Sequence, residues 1–280
     1  MNKSAGDFPL LPPQKTVKSD GCDIAYFTTG PDDGKPLVLC HGLAASGLQF
    51  VDDANFFADE GFRVLVPDLR GHGHSTTPGK RIDDDFSIPQ LAADLVKILD
   101  AEKIERVDWV GNSLGGILGL SLMKTDRARL KSFISFGTAY ALDVPNTLIP
   151  VSQAAYDFIG GGIVAKTGAM LTTWEPKAQA IVHAMLKEMD VDAVVQVSHS
   201  VRKYDLIENA QQFDGPILLI KCQNDRLVNL ALDKTLNAMT DHPSFTLLDL
   251  KGAGHVGNLD RPTQFRDMVL TFLEKIRIPI

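Results

Sequence analysis

The segment VGNSLGG, Val110 to Gly116, lies between a strand-like run, IERVDW (104–109), and a helix-like run, ILGLSLM (117–123). Glycine loses more conformational freedom on folding than other residues, so it belongs where a backbone bends sharply or is approached closely. Three glycines around one serine therefore mark a tight strand-to-helix connection. Ser113 is then either a turn residue capping the helix or a nucleophile raised on the turn. Gly111 and Gly115, two before and two after the serine, satisfy the G-x-S-x-G spacing of the second reading.

Working outward, strand-like and helix-like segments alternate. Strand candidates are 23–28, 36–40, 63–66, 106–110, 132–136, 216–221 and 244–248. Most are short and apolar, as strands covered on both faces are. The segment 88–99 repeats apolar residues at helical spacing, with Ser87 as N-cap and Pro89 in the first turn. Further helices are expected from Gly116 to Met123, near 230–238 and over 262–276. This alternation predicts an α/β fold with a mainly parallel sheet flanked by helices. Between Ala139 and about Ala210 the pattern changes to helix-like pieces without a convincing strand, the clearest at 178–189. The glycines 160–162 are expected to break this region internally. The organisation expected is a core domain over 1–138, a helical cap over 139–210 and the rest of the core over 211–280. An insertion of that length reads as a functional lid.

With 280 residues, 44% apolar and 22% charged, the composition is that of a soluble globular chain. The net charge of −7 argues against a nucleic-acid or anionic-membrane partner, which would favour clustered Lys and Arg. The run Asp83-Asp84-Asp85 lacks the spaced oxygen ligands of a calcium loop and reads as a solvated loop. No apolar run approaches a membrane span, and MNKSAGDFPLLPPQKT lacks the apolar core of a signal peptide. Cys22, Cys40 and Cys222 fit neither a zinc spacing nor a disulfide framework. The expectation is a cytoplasmic monomer or homodimer with reduced thiols, no metal or other cofactor, and a small molecule as partner.

Ligand sites in parallel sheets gather beyond the carboxyl ends of the strands. His41-Gly42-Leu43, Ser113, Asp225 and His255 all fall there. A serine hydroxyl is a poor nucleophile until an imidazole takes its proton, and the imidazole needs a carboxylate to fix its tautomer. Ser113, Asp225 and His255 supply these three groups. The N–H groups of Leu43 and Leu114 are the natural donors to an oxyanion.

Together VGNSLGG, LVLCHGLAAS (37–46), PDLRGHGHS (67–75) and GAGHVGNLDRP (252–262) resemble the α/β-hydrolase superfamily in its single-cap branch. The resemblance implies an eight-stranded sheet with the cap inserted after strand 6. It implies Ser113 as nucleophile, Asp225 as acid, His255 as base, and Leu43 and Leu114 at the oxyanion hole. Asp143 is the alternative acid, since some members carry theirs after the sixth strand. Arg70 is expected to hold the 68–75 loop, and Asn224 and Asp260 to shape turns. His41, His72 and His74 fall in segments with structural roles in the family. Asn112 departs from the histidine or tyrosine often found before the nucleophile. Tyr140, Tyr156, Phe158, Met170 and Trp174 are read as packing residues of the cap, one or two of them facing the pocket. Tyr140, Tyr156, Trp174 and His199 are the candidates for substrate contact.

The activity implied is hydrolysis of an ester, thioester or lactone of a small, largely apolar molecule through an acyl-enzyme. A C–C bond hydrolase opening vinylogous diketones shares the Asn-Ser-Leu-Gly-Gly elbow. A slowly hydrolysing small-molecule receptor is the reading from a different functional class.

Overall fold

The structure is a computed structural model, and it describes residues 14–79, 85–143 and 161–277. The chain runs through β1 (Gln14–Ser19), β2 (Cys22–Thr29), β3 (Lys35–Cys40), α1 (Val51–Asp59), β4 (Phe62–Pro67), α2 (Ile88–Ala101), β5 (Val107–Asn112), α3 (Leu114–Thr125) and β6 (Leu130–Phe136). The insertion holds β7 (Ala141–Asp143), α4 (Gly161–Thr172), α5 (Pro176–Lys187), α6 (Val191–Val201), β8 (Lys203–Asp205) and α7 (Ile207–Gln211). The core then resumes with β9 (Ile217–Cys222), α8 (Arg226–Met239), β10 (Phe245–Leu250), α9 (Gly257–Asp260) and α10 (Pro262–Lys275).

Eight strands form one sheet in the order β1-β2-β4-β3-β5-β6-β9-β10. The pairings β1–β2 and β2–β4 are antiparallel, and every pairing from β4 to β10 is parallel. The carboxyl ends of β3, β5, β6, β9 and β10 therefore open on one edge. Successive side chains of a strand point to opposite faces, and β5 sends Trp109 to one core layer and Val110 to the other. The Trp109 layer packs α2, α3 and α8; the Val110 layer packs α1 and α10 through Phe57, Phe265 and Val269. Ser87 caps α2, its side chain accepting from the Gln90 N–H.

Three local expectations are corrected. The antiparallel edge strand β1 was not anticipated, because QKTVKS alternates polar with a single apolar residue and half of it faces solvent. The insertion does contain strands. β7 and β8, three residues each, pair antiparallel with Ala141 opposite Asp205 and close the base of the cap. Of the glycine run, Gly161 and Gly162 form the start of α4, and Gly160 lies outside the described residues. Asp85 is buried rather than solvated, 3.8 Å from the Arg70 guanidinium; Asp83 and Asp84 lie outside the described residues.

Candidate active site

Ser113 occupies the junction of β5 and α3 with φ 50° and ψ −113°. A non-glycine residue there costs roughly 1–3 kcal/mol and persists only when its surroundings hold it. The Ser113 N–H donates to the Phe136 carbonyl at 3.0 Å, and the Ser113 carbonyl accepts from Gly116, Ile117 and the Thr138 hydroxyl. The strain thus falls on the serine, while the flanking glycines supply room. A Cβ on Gly115 would collide with the Cys40 carbonyl, and one on Gly111 with the Gly115 backbone. Trp109 Nε1 donates to the Gly115 carbonyl at 3.0 Å and fastens the first turn of α3 to β5.

The segment expected to bind an oxyanion abuts this turn. A Cβ on Gly42 would lie 3.3 Å from Ser113 Cβ, so Gly42-Leu43 runs beside the serine. His41 fixes that run. Its Nδ1–H donates to the Gly42 carbonyl at 2.7 Å and its Nε2 accepts from the Leu69 N–H at 3.0 Å. Burial lowers its pKa to about 4, so it stays neutral in that role. Leu114 opens α3, and the first N–H groups of a helix lack an intrahelical acceptor.

His255 and Asp225 meet across the carboxyl edge, Nδ1 to Oδ2 at 2.7 Å. Asp225 caps α8 through the Val228 N–H and is buried, whereas His255 is about one-third exposed. Burial opposes the imidazolium, but the hydrogen bond and charge of Asp225, with the charge of Asp260, outweigh it and raise the His255 pKa. With Nδ1–H directed to Asp225, Nε2 is the nitrogen left to accept a proton. The alternative acid, Asp143, sits in the β7–β8 pair against Lys203 at 3.1 Å.

Asn112 has a role that its sequence position did not disclose. Its Nδ2 donates to the carbonyls of Phe136 and His255, at 3.2 and 3.0 Å, and its Oδ1 accepts from Gln49 at 3.0 Å. The buried network continues through Asn258 and Asp53 to Arg266. It ties the end of β5 to the loop that bears His255. The available signal was polar side chains inside apolar runs, Asn112 after VDWVG and Asp53 within FVDDANFF.

Arg70 is fully buried and fastens its loop to α2 through a two-pronged contact with Asp94 at 2.9 and 2.7 Å. That loop is also held by Asp68, which accepts from the Gly47 and His74 N–H groups.

A cleft of about 540 Å³ opens beside Asp225 and His255, walled by Met170, Leu171, Trp174, Arg226 and Leu227. Trp174 is 74% exposed and Met170 54%, so both line the cleft instead of packing the cap. Tyr140 is a core residue, fully buried against Phe133 and sharing a hydrogen bond with Ser135. His199 is exposed on α6; Tyr156 and Phe158 lie outside the described residues. All three cysteines are free and buried. Among the described residues no cluster of side chains is arranged for a metal, and no helix is long and apolar enough to cross a membrane.

The family model described as alpha/beta hydrolase fold matches residues 35–160. The candidate carbamate hydrolase RutD of Pseudomonas syringae pv. syringae (strain B728a) is 28% identical over 86% of this chain and 94% of its own. Two solved structures share the fold. The enol-lactonase of Burkholderia xenovorans LB400 superposes with a TM-score of 0.79 at 21% identity, over 93% of this chain and 100% of its own. A thermophilic esterase from Thermogutta terrifontis does so with a TM-score of 0.81 at 20% identity, over 95% and 99%.

Proposed function

We propose that the chain, which has the α/β-hydrolase fold with a cap, a fold strongly associated with serine hydrolases, cleaves a carboxylic ester, thioester or lactone through an acyl-enzyme on Ser113. The observation that carries this reading is the strained Ser113, held beside Gly42-Leu43 and linked through Asn112 to a His255–Asp225 pair.

Ser113 Oγ attacks the acyl carbon as His255 Nε2 takes its proton. Asp225 holds the resulting imidazolium, and the Leu43 and Leu114 N–H groups receive the oxyanion. His255 then returns its proton to the leaving oxygen or sulfur; for a lactone the alcohol stays tethered. It next draws a proton from water, whose oxygen attacks the acyl-enzyme, and gives that proton to Ser113 Oγ as the acid departs. The cleft wall is mainly apolar, which suits a small apolar acyl or aryl group.

Turnover of p-nitrophenyl esters of graded chain length by the wild type and Ser113→Ala tests the reading. A loss of several orders of magnitude in kcat, with the fold retained, is expected. Undiminished turnover in the variant would rule it out. Ring-fission diketones assayed in parallel decide whether the scissile bond is carbon–carbon instead.

A further inference from the structure

Asp260 reads in the sequence as a turn residue five positions after His255. Its carboxylate reaches much farther. Oδ2 accepts from the Gly254 N–H at 2.5 Å, within the loop that carries His255, and Oδ1 accepts from the hydroxyl of Thr173 in the cap. Thr173 Oγ1 also accepts from the Glu175 N–H at 3.0 Å, and since an ionised carboxylate only accepts, the hydroxyl donates its one proton to Asp260.

Two further links run beside this one. The His255 N–H donates to the Thr172 carbonyl at 3.3 Å, and Arg261 meets Glu175 at 2.5 Å. The α4–α5 junction of the cap is thereby fastened to the His255 N–H directly and to the Gly254 N–H through Asp260. Thr173 and Asp260 are both buried, where a hydrogen bond to an ionised acceptor is stronger than at the surface.

We propose that Asp260 is a positioning residue that clasps the cap, through Thr173, to the His255 loop and so sets the place of the imidazole for proton transfer. This rests on the reading of His255 as the base. The charged and titratable groups facing Asp260 are Arg261, Glu175, His255 and Cys222. Burial pushes the Asp260 pKa up, against the bonds from Thr173 and Gly254 and the charge of Arg261. While ionised, Asp260 also favours the imidazolium of His255. Removing its charge therefore moves the acid limb of the pH–rate profile to lower pH, which the loss of a purely structural contact does not do.

The test compares wild type, Asp260→Asn, Thr173→Val, Thr173→Ser and His255→Ala on p-nitrophenyl butyrate. In Asp260→Asn and Thr173→Val, kcat falls about tenfold, as expected for a displaced catalytic group. Thr173→Ser restores the hydroxyl and returns kcat to the wild-type range. The acid limb of kcat/KM moves down in Asp260→Asn. Folded Asp260→Asn and Thr173→Val enzymes with kcat within about twofold of wild type and an unmoved acid limb would overturn the proposal. If Asp260→Asn does not fold, the threonine pair decides alone: a drop in Val rescued by Ser supports the clasp, and equal rates in both overturn it. Wild-type turnover in His255→Ala would instead overturn the reading of the base, a separate failure.

Discussion

Ser113 and His255 carry the account at the scale of single residues. The imidazole must be neutral to accept the serine proton, so kcat/KM rises with pH through the His255 pKa. Because Asp225 and Asp260 raise that pKa, the acid limb is expected above pH ~6.5, the ordinary histidine value. Asp225→Asn should lower both the rate and the limb, since it removes the charge and leaves one oxygen to serve both the Val228 N–H and the imidazole N–H. A pH profile of that variant superimposable on wild type would separate Asp225 from the base. G-x-S-x-G, His-Gly-Leu and Gly-His were legible as local strings. Asn112 was not, because its partners Phe136, His255 and Gln49 lie 24, 143 and 63 positions away. Its contacts are set by the folded sheet, and no neighbouring residue announces them.

Secondary-structure elements were legible where periodicity is long and capped. The Ser87 cap and the apolar stripe of α2 predict its start at Ile88, and the structure extends the helix two residues past Leu99. Short or half-exposed elements such as β1, β7 and β8 carry too few apolar positions for a pattern. Their stability comes from contacts between elements, and Glu102 at the end of α2 is an instance. It accepts from Lys15 of β1 at 2.8 Å, Tyr26 of β2 at 2.8 Å and Arg63 of β4 at 2.5 Å, with a nearly buried side chain. Burial works against its charge, but these three partners prevail and hold its pKa below the usual glutamate value. Glu102→Gln should cost roughly 1–3 kcal/mol at neutral pH, the typical loss for a charged hydrogen-bonded group. A depressed folded pKa contributes stability above the unfolded value of ~4.3 that disappears as pH falls through the folded value. The difference between wild type and variant in urea titrations is therefore constant near neutrality and shrinks in acid. A difference independent of pH down to the acid transition would contradict this.

Across the whole molecule, the parallel strands bring Ser113, Asp225 and His255 to one edge of the sheet, and the cap touches that edge through Thr172 and Thr173. The parallel core was readable because βα alternation has few topologies. Which cap side chains face the cleft was not, since Trp174 and Tyr140 are equally aromatic in sequence yet one is open and the other is core. Trp174→Ala tests the cleft as the binding surface. Its exposure means that the thermal midpoint should hardly move, while KM for aryl esters rises about tenfold with kcat little changed, the signature of lost uniform binding. An unchanged KM would place the substrate elsewhere.

The central claim is that Ser113 forms a covalent acyl-enzyme. The most direct measurement is reaction of the intact protein with a fluorophosphonate, followed by mass mapping of the labelled peptide. One adduct on Ser113, formed more slowly in the presence of excess ester substrate and lost in Ser113→Ala, is the predicted result. An adduct on another residue, or ester turnover that survives with Ser113 unlabelled, would contradict the account.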